Sequence, residues 1–295
     1  MKKWLAIFGA LLLGAATVGT ANADDAAAQT NEKEKTTQIL FVGNSYTYFN
    51  SLNGVVENML NVSNVPAKAV RNAPGGWRLR QHFNGEVPKN GKFQPTPDVL
   101  KTAPWDYVVL QEQSAGTVNE REQYLEFGAK MADLARENRA ETTVLLYQTW
   151  GRCDGMFAGY GVDDAKKAET IAAWEKRYEK KADEKIVAAL KDGIQGGVAA
   201  LAEKSGATVV PVGVAFERVK NETKIDLYAD EKDQRPHHPN ATGTYMAGCV
   251  FFKTITGKSP VGLFAKLTEA GKAPKDVAAE NAAILEKIAD EVVKK

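Results

Sequence analysis

The chain has 295 residues, 44% of them hydrophobic, and 38 basic against 37 acidic side chains give a net charge of +1. That length fits one large α/β domain with a proper core, and the even balance excludes the basic excess that a nucleic-acid footprint needs. Cys153 and Cys249 are its two cysteines. In an oxidising compartment they could pair, or they could be two separate buried thiols, since sequence distance says nothing about spatial distance.

In chain order, Lys2 and Lys3 precede an apolar run from Trp4 to Val18, and Ala21-Asn22-Ala23 follows. A charged start, a short apolar stretch and a small-x-small cleavage site form the layout of a secretory signal peptide over 1–23. The run is shorter than the ~20 apolar residues of a membrane span. The expectation is therefore a secreted or periplasmic protein with no membrane attachment after cleavage. Residues 24–35 are small, polar and charged and read as a disordered spacer. From 36 to 295 no boundary or repeat separates a second domain.

Apolar runs at 38–42, 67–71, 107–110, 143–147 and 208–212 have strand length, and their apolar character suits strands covered on both faces of a parallel sheet. Helical patterns lie between and after them, near 52–62, 120–137, 164–204, 242–255 and 274–293. Alternation of this kind predicts a doubly wound α/β fold with right-handed crossovers. Two stretches are expected to be irregular. Residues 84–104 contain Pro88, Pro95, Pro97 and Pro104; residues 150–163 are rich in glycine and aromatics and follow the fourth strand. Ligands in open α/β sheets bind beyond the carboxyl ends of the strands, so the second stretch is a candidate substrate wall or simply a long connection.

The chemistry concentrates at strand ends. The first strand stops on Gly43-Asn44-Ser45, which displays a hydroxyl where strand hands over to helix, with the Ser45 N–H facing outward. Asn44 or Ser45 could equally serve only as a helix cap. Of three histidines, His82 reads as an ordinary half-buried side chain. His237 and His238 stand in a polar loop after Asp226, Asp230, Glu231 and Asp233, where imidazole fits the role of general base without elaborate tuning. Ala73-Pro74-Gly75-Gly76-Trp77 follows the second strand, where glycines allow close backbone approach or form a tight turn. Gln111-Glu112-Gln113-Ser114 follows the third, with amides aimed into the crevice or spent on local backbone groups.

In this order the residues resemble the SGNH, or GDSL-like, hydrolases, over about 37–255. Gly43-Asn44-Ser45 is similar to the family's Gly-Asp-Ser block, and Gly76 falls at the oxyanion glycine. Gln111-Glu112-Gln113-Ser114 stands in place of Gly-x-Asn-Asp, and His238-Pro239-Asn240-x-x-Gly243 resembles the last block. The resemblance implies a three-layer α/β/α, flavodoxin-like fold with a parallel sheet of about five strands, and hydrolysis of carboxylic esters without a metal or cofactor. It implies Ser45 as nucleophile, His238 as base, and Ser45, Gly76 and Gln113 as oxyanion donors. Three departures accompany it. Asn44 replaces Asp, Gln113 replaces Asn, and the place of the catalytic Asp, three residues before the histidine, holds Arg235. Asp233 is then the candidate acid if the loop bulges at Pro236; otherwise a backbone carbonyl orients the ring of a Ser–His dyad. The expected substrate is a small ester or acylated carbohydrate, with acetyl the favoured acyl group and Trp150 and Tyr160 the rings that stack on sugar, beside Trp77 and Trp105. The alternatives are an inactive carbohydrate-binding protein on the same fold and an acyltransferase.

Overall fold

The computed structural model of the chain describes residues 35–89, 91–151, 164–229 and 237–294. Five strands, β1 (Thr37–Val42), β2 (Ala67–Asn72), β3 (Tyr107–Leu110), β4 (Thr143–Tyr147) and β5 (Thr208–Val210), form one sheet in the order β2-β1-β3-β4-β5. Every neighbouring pair is parallel, with Ile39 level with both Ala69 and Tyr107. The helices in chain order are α1 (Ser45–Tyr48), which runs through a 3-10 turn at Phe49–Ser51 into α2 (Leu52–Asn61), then α3 (Leu79–Phe83), α4 (Thr96–Leu100), α5 (Gly116–Asn119) and α6 (Arg121–Asn138). After them come α7 (Asp164–Tyr178), α8 (Glu184–Ser205), α9 (Val212–Glu222), α10 (Ala241–Thr256), α11 (Leu263–Glu269) and α12 (Ala279–Val292). Residues Thr36–Lys295 pack as one unit.

Successive side chains of a strand point to opposite faces, and here both faces are dry. Ile39, Phe41, Val109, Leu145, Tyr147 and Val210 share one core with Val56, Met59, Phe216, Phe251 and Leu285 of α2, α9, α10 and α12. Leu40, Val42, Val108, Leu110, Val144 and Leu146 share the other with Met131, Ala135, Ile194 and Leu201 of α6 and α8. The result is the expected three-layer α/β/α arrangement. Across the first core, Tyr245 donates to Glu286 at 2.6 Å, and that buried carboxylate also accepts the Gly262 and Phe264 amides, which ties α10, α11 and α12 together.

Several expectations need correction. β2 is an edge strand, so Lys68 and Arg71 point to solvent and its apolar run is interrupted. The fifth strand ends at Val210 because Pro211 has no N–H for the ladder, and Val212, Ala215, Phe216 and Val219, at helical spacing, turn the chain into α9. The stretch 164–204 is two helices, interrupted where Glu179 takes a positive φ and restarted by Asp183, which accepts the Ile186 amide. The described residues of 84–104 are irregular for most of their length, as expected, apart from α4, where Pro97 occupies the first turn and its missing N–H costs nothing. Cys249 is a free, buried thiol; Cys153 lies outside the described residues, as do 1–34. No helix of the described residues is long and apolar enough to cross a membrane.

Phe251 is fully buried, with its ring 5.3 Å from Phe41 and 5.2 Å from Tyr147. Phe251→Ala is therefore expected to cost ~3–5 kcal/mol, read as a lower urea midpoint at constant m-value.

Candidate active site

In an open parallel sheet the crevice forms where the strand order reverses, and here that is between the carboxyl ends of β1 and β3. β1 leaves through Gly43-Asn44-Ser45. A Cβ on Gly43 would lie 2.5 Å from Thr47 Oγ1 and 2.6 Å from Gln111 Oε1, so glycine is required there for space. Gln111 Oε1 accepts from the Asn44 N–H at 2.9 Å and the Thr47 hydroxyl at 3.0 Å, which joins the two strand ends. Asn44 caps α1 through Oδ1, which accepts the Tyr46 N–H at 3.2 Å, while its Nδ2 donates to the Trp77 carbonyl at 2.8 Å. Ser45 follows, half-buried, at the head of the short helix.

The segment behind Asn44 is fixed by a third residue. His82, fully buried rather than half-buried, places Nε2 2.9 Å from the Gly43 carbonyl and Nδ1 2.7 Å from the Thr96 hydroxyl. Thr96 in turn accepts from Asn72 Nδ2 at 3.0 Å.

The late histidines arrive on the far side of the same turn. The His238 ring stacks on Phe49 at 4.1 Å and 3°, and lies 5.6 Å from the Tyr46 ring. Asn50 Nδ2 donates to the Pro239 carbonyl and to Thr244 Oγ1, both at 2.9 Å, which fastens the loop to the segment that begins at Ser45. From below, the Ala229 N–H donates to the His238 carbonyl and the Asn240 N–H to that of Leu227. Asn240 Oδ1 caps α10 at the Gly243 amide, and a Cβ on Gly243 would come within 2.2 Å of the Leu227 oxygen, so the Asn and Gly of His-Pro-Asn-x-x-Gly have steric and capping duties. His237 contributes its carbonyl, which accepts from Trp150 Nε1 at 3.0 Å.

Of the expected oxyanion donors, the Ser45 and Gly76 amides have no acceptor among the described residues. Gly76 has φ +73°, with open space where a side chain would stand. Gly75 lies against Tyr48, so the glycine turn borders α1. Gln113 is partly spent, since its Oε1 accepts the Gly116 N–H at 3.1 Å; only its Nε2 is left to face a ligand. Glu112, buried beneath it, accepts the Gln113 and Leu79 amides at 2.8 and 3.0 Å.

No family model matches the chain, and no curated protein does. Solved structures do. A proposed SGNH hydrolase from Slackia heliotrinireducens is similar at 23% identity and a TM-score of 0.54, over 75% of this chain and 100% of that one. A DUF4886 family protein from Bacteroides uniformis is similar at 18% identity and a TM-score of 0.59, over 87% and 94%. The chain has the SGNH-hydrolase fold.

On this SGNH fold the first, second, third and last sequence blocks all meet around the β1–β3 crevice. One expected site residue is displaced: Trp150 is only 1% exposed and its ring stacks on Phe216 at 3.9 Å and 1°. It supports the histidine loop from the core and offers no open face to a sugar. Trp105 is likewise buried, with its indole N–H directed at the Leu100 carbonyl. Asp233, Arg235 and Tyr160 lie outside the described residues. Among those described, no group of three His, Cys, Asp or Glu side chains is placed to hold a metal ion. Asn44 fills the helix-cap role that its place in the sequence allowed, and Gln111, His82 and Phe49 hold the site together beside it. The Gln-Glu-Gln run carried a signal for Gln111, whereas nothing marked His82.

Two buried groups beneath the SGNH crevice titrate in opposite senses. Burial holds the His82 imidazole down, from 6.5 to about 4, against the opposing hydrogen bond to Gly43. Burial pushes the Glu112 carboxyl up, from 4.5 to about 7, against the Leu79 and Gln113 amides and the Arg78 charge. As pH falls from 6.5 to 4 the unfolded chain protonates His82 while the folded chain does not, so this group costs stability, up to ~3 kcal/mol. Over the fall from 7 to 4.5 the folded chain protonates Glu112 first, so that group adds stability of similar size. Relative to the native chain, His82→Gln is expected to gain stability toward acid and Glu112→Gln to lose it. Urea titrations at pH 7.5 and pH 4.5 check both signs.

Proposed function

We propose that the chain is a secreted serine hydrolase that cleaves carboxylic esters, with short acyl groups, acetyl above all, on carbohydrate as its substrates. The observation that carries this reading is the seating of the His238 loop on Tyr46–Asn50, the turn that Ser45 opens. Stacking on Phe49 fixes the plane of the imidazole. The export signal at 1–23 supports an extracellular substrate. The structural neighbour named as an SGNH hydrolase agrees with hydrolysis in general.

In the proposed reaction His238 takes the Ser45 proton as Oγ bonds to the ester carbonyl carbon. The resulting oxyanion accepts hydrogen bonds from the Ser45 and Gly76 amides and from Gln113 Nε2. The tetrahedral intermediate then expels the alcohol, which receives the proton from His238. Water, deprotonated by the same imidazole, attacks the acyl-enzyme and frees the acid and Ser45. Asp233, or a backbone carbonyl in a dyad, would orient the ring. With Trp150 in the core, the aromatic ring that the fold leaves open one helical turn from Ser45 is Tyr48, 37% exposed, and we assign to it the substrate contact.

Ser45→Ala and His238→Ala are each expected to lower hydrolysis of p-nitrophenyl acetate by at least about 1000-fold, with unchanged far-UV circular dichroism. Gln113→Ala should lose roughly 100- to 1000-fold in kcat, and a loss below about fivefold would remove Gln113 from the oxyanion site. Turnover that survives Ser45→Ala sinks the whole reading.

A further inference from the structure

We infer that His82 is a positioning residue for the nucleophile turn: with its proton on Nε2 it clamps the peptide bond between Gly43 and Asn44, and so fixes the direction in which Ser45 leaves the sheet. This rests on Ser45 being the nucleophile, and deepens that reading.

The polarity of the network follows from which atoms can donate. The Gly43 carbonyl only accepts, so Nε2 carries the hydrogen. In the neutral ring Nδ1 is then an acceptor, and the Thr96 hydroxyl must donate to it. That hydroxyl is free to do so because its own lone pair is taken by Asn72 Nδ2, whose identity as nitrogen is fixed by a second bond, 2.9 Å, to the Gln94 carbonyl. A single donor chain therefore runs Asn72, Thr96, His82, Gly43. It leads nowhere except to that carbonyl.

The other end of the same peptide is equally held. Its N–H, that of Asn44, donates to Gln111 Oε1, and the preceding N–H, of Gly43, donates to the Asn72 carbonyl at 3.2 Å. Three consecutive backbone polar groups just ahead of Ser45 are thus tied to the chains leaving β2 and β3. A peptide plane held at both C=O and N–H cannot rotate, and small errors of nucleophile placement are costly in rate, ~100-fold per ångström. A buried histidine with only a packing role would not need a directed chain that ends at this one carbonyl. Leucine fills similar volume but donates nothing; glutamine carries an N–H that can reach the Gly43 oxygen.

The test compares His82→Leu, His82→Gln and Thr96→Val with the native chain and Ser45→Ala, using p-nitrophenyl acetate kinetics and the rate of labelling by a fluorophosphonate. All are measured at a temperature where thermal unfolding shows each variant folded. His82→Leu is expected to lose about tenfold to 100-fold in kcat with KM changed less than about twofold, and to label more slowly in proportion. His82→Gln should recover most of that loss. Thr96→Val, which frees the ring to take the other tautomer, should fall between the two, and 15N shifts of His82 should report the Nε2–H form in the native chain alone. Should His82→Leu fail to fold, Thr96→Val and His82→Gln decide. Native rates in folded Thr96→Val, or a His82→Gln as slow as His82→Leu, overturn the inference while Ser45→Ala stays inactive. An active Ser45→Ala instead removes the nucleophile itself, and the inference with it.

Discussion

Where β1 and β3 end side by side, their outgoing chains part toward opposite faces of the sheet, one into α1 and α2 and the other into α5 and α6. Backbone pairing joins the two ends as far as the Gln111 N–H on the Val42 carbonyl, 2.9 Å, and beyond it the Gln111 side chain continues the joint, its one oxygen holding both the Asn44 amide and the Thr47 hydroxyl. Everything at the crevice is built outward from that joint. Gly43 must lack a side chain because Gln111 occupies the space, and Asn44 caps the helix because its own N–H is already committed. A parallel sheet creates the crevice by topology alone, but an amide bridge across it gives the opening a defined edge.

The histidine loop is organised by different physics. Its anchors are aromatic and backbone contacts: Trp150 against Phe216 beneath, Phe49 against His238 beside, and the Tyr228–Pro239 bridge at its foot. Aromatic stacking sets plane and distance without demanding charge, so the plane of the imidazole is set by Phe49. The same arrangement explains why Trp150 faces inward. A ring that supports the loop cannot at the same time lie open to a sugar.

How much of this was legible in the sequence depends on whether the signal was local. β1, β3 and β4 could be read because each is a short apolar run covered on both faces, and the cap at Asn44 because it stands where a strand hands over to a helix. The fifth strand was over-extended because an apolar run through Pro211 looks the same whether it continues flat or coils into α9; only the missing ladder N–H distinguishes them. His82 was unreadable for a deeper reason. Its meaning lies in Thr96, Asn72 and Gly43, residues separated along the chain and brought together only where the ends of β1 and β2 meet α3 and α4, and no spacing in the sequence encodes that meeting. Trp150 failed in the opposite direction, since a tryptophan at a strand end suits a binding wall and a core support equally well.

The electrostatics of the crevice bear on asparagine rather than aspartate at position 44. An Asp at 44 would still accept the Tyr46 amide, but it would set a carboxylate 2.8 Å from the Trp77 carbonyl, where Asn44 now donates. It would also add a fixed negative charge next to the site where the proposed oxyanion forms. The other buried groups follow the same rule. His82 is held neutral by burial, and Glu112, the one carboxyl directly beneath Gln113, is pushed up to about 7, so that much of it is protonated near neutrality. In the proposed reaction the charge that develops at Ser45 would meet amide dipoles in a region with little opposing charge, the condition under which such dipoles are most effective. Raising the pH ionises Glu112 and adds negative charge beneath Gln113, which works against that condition.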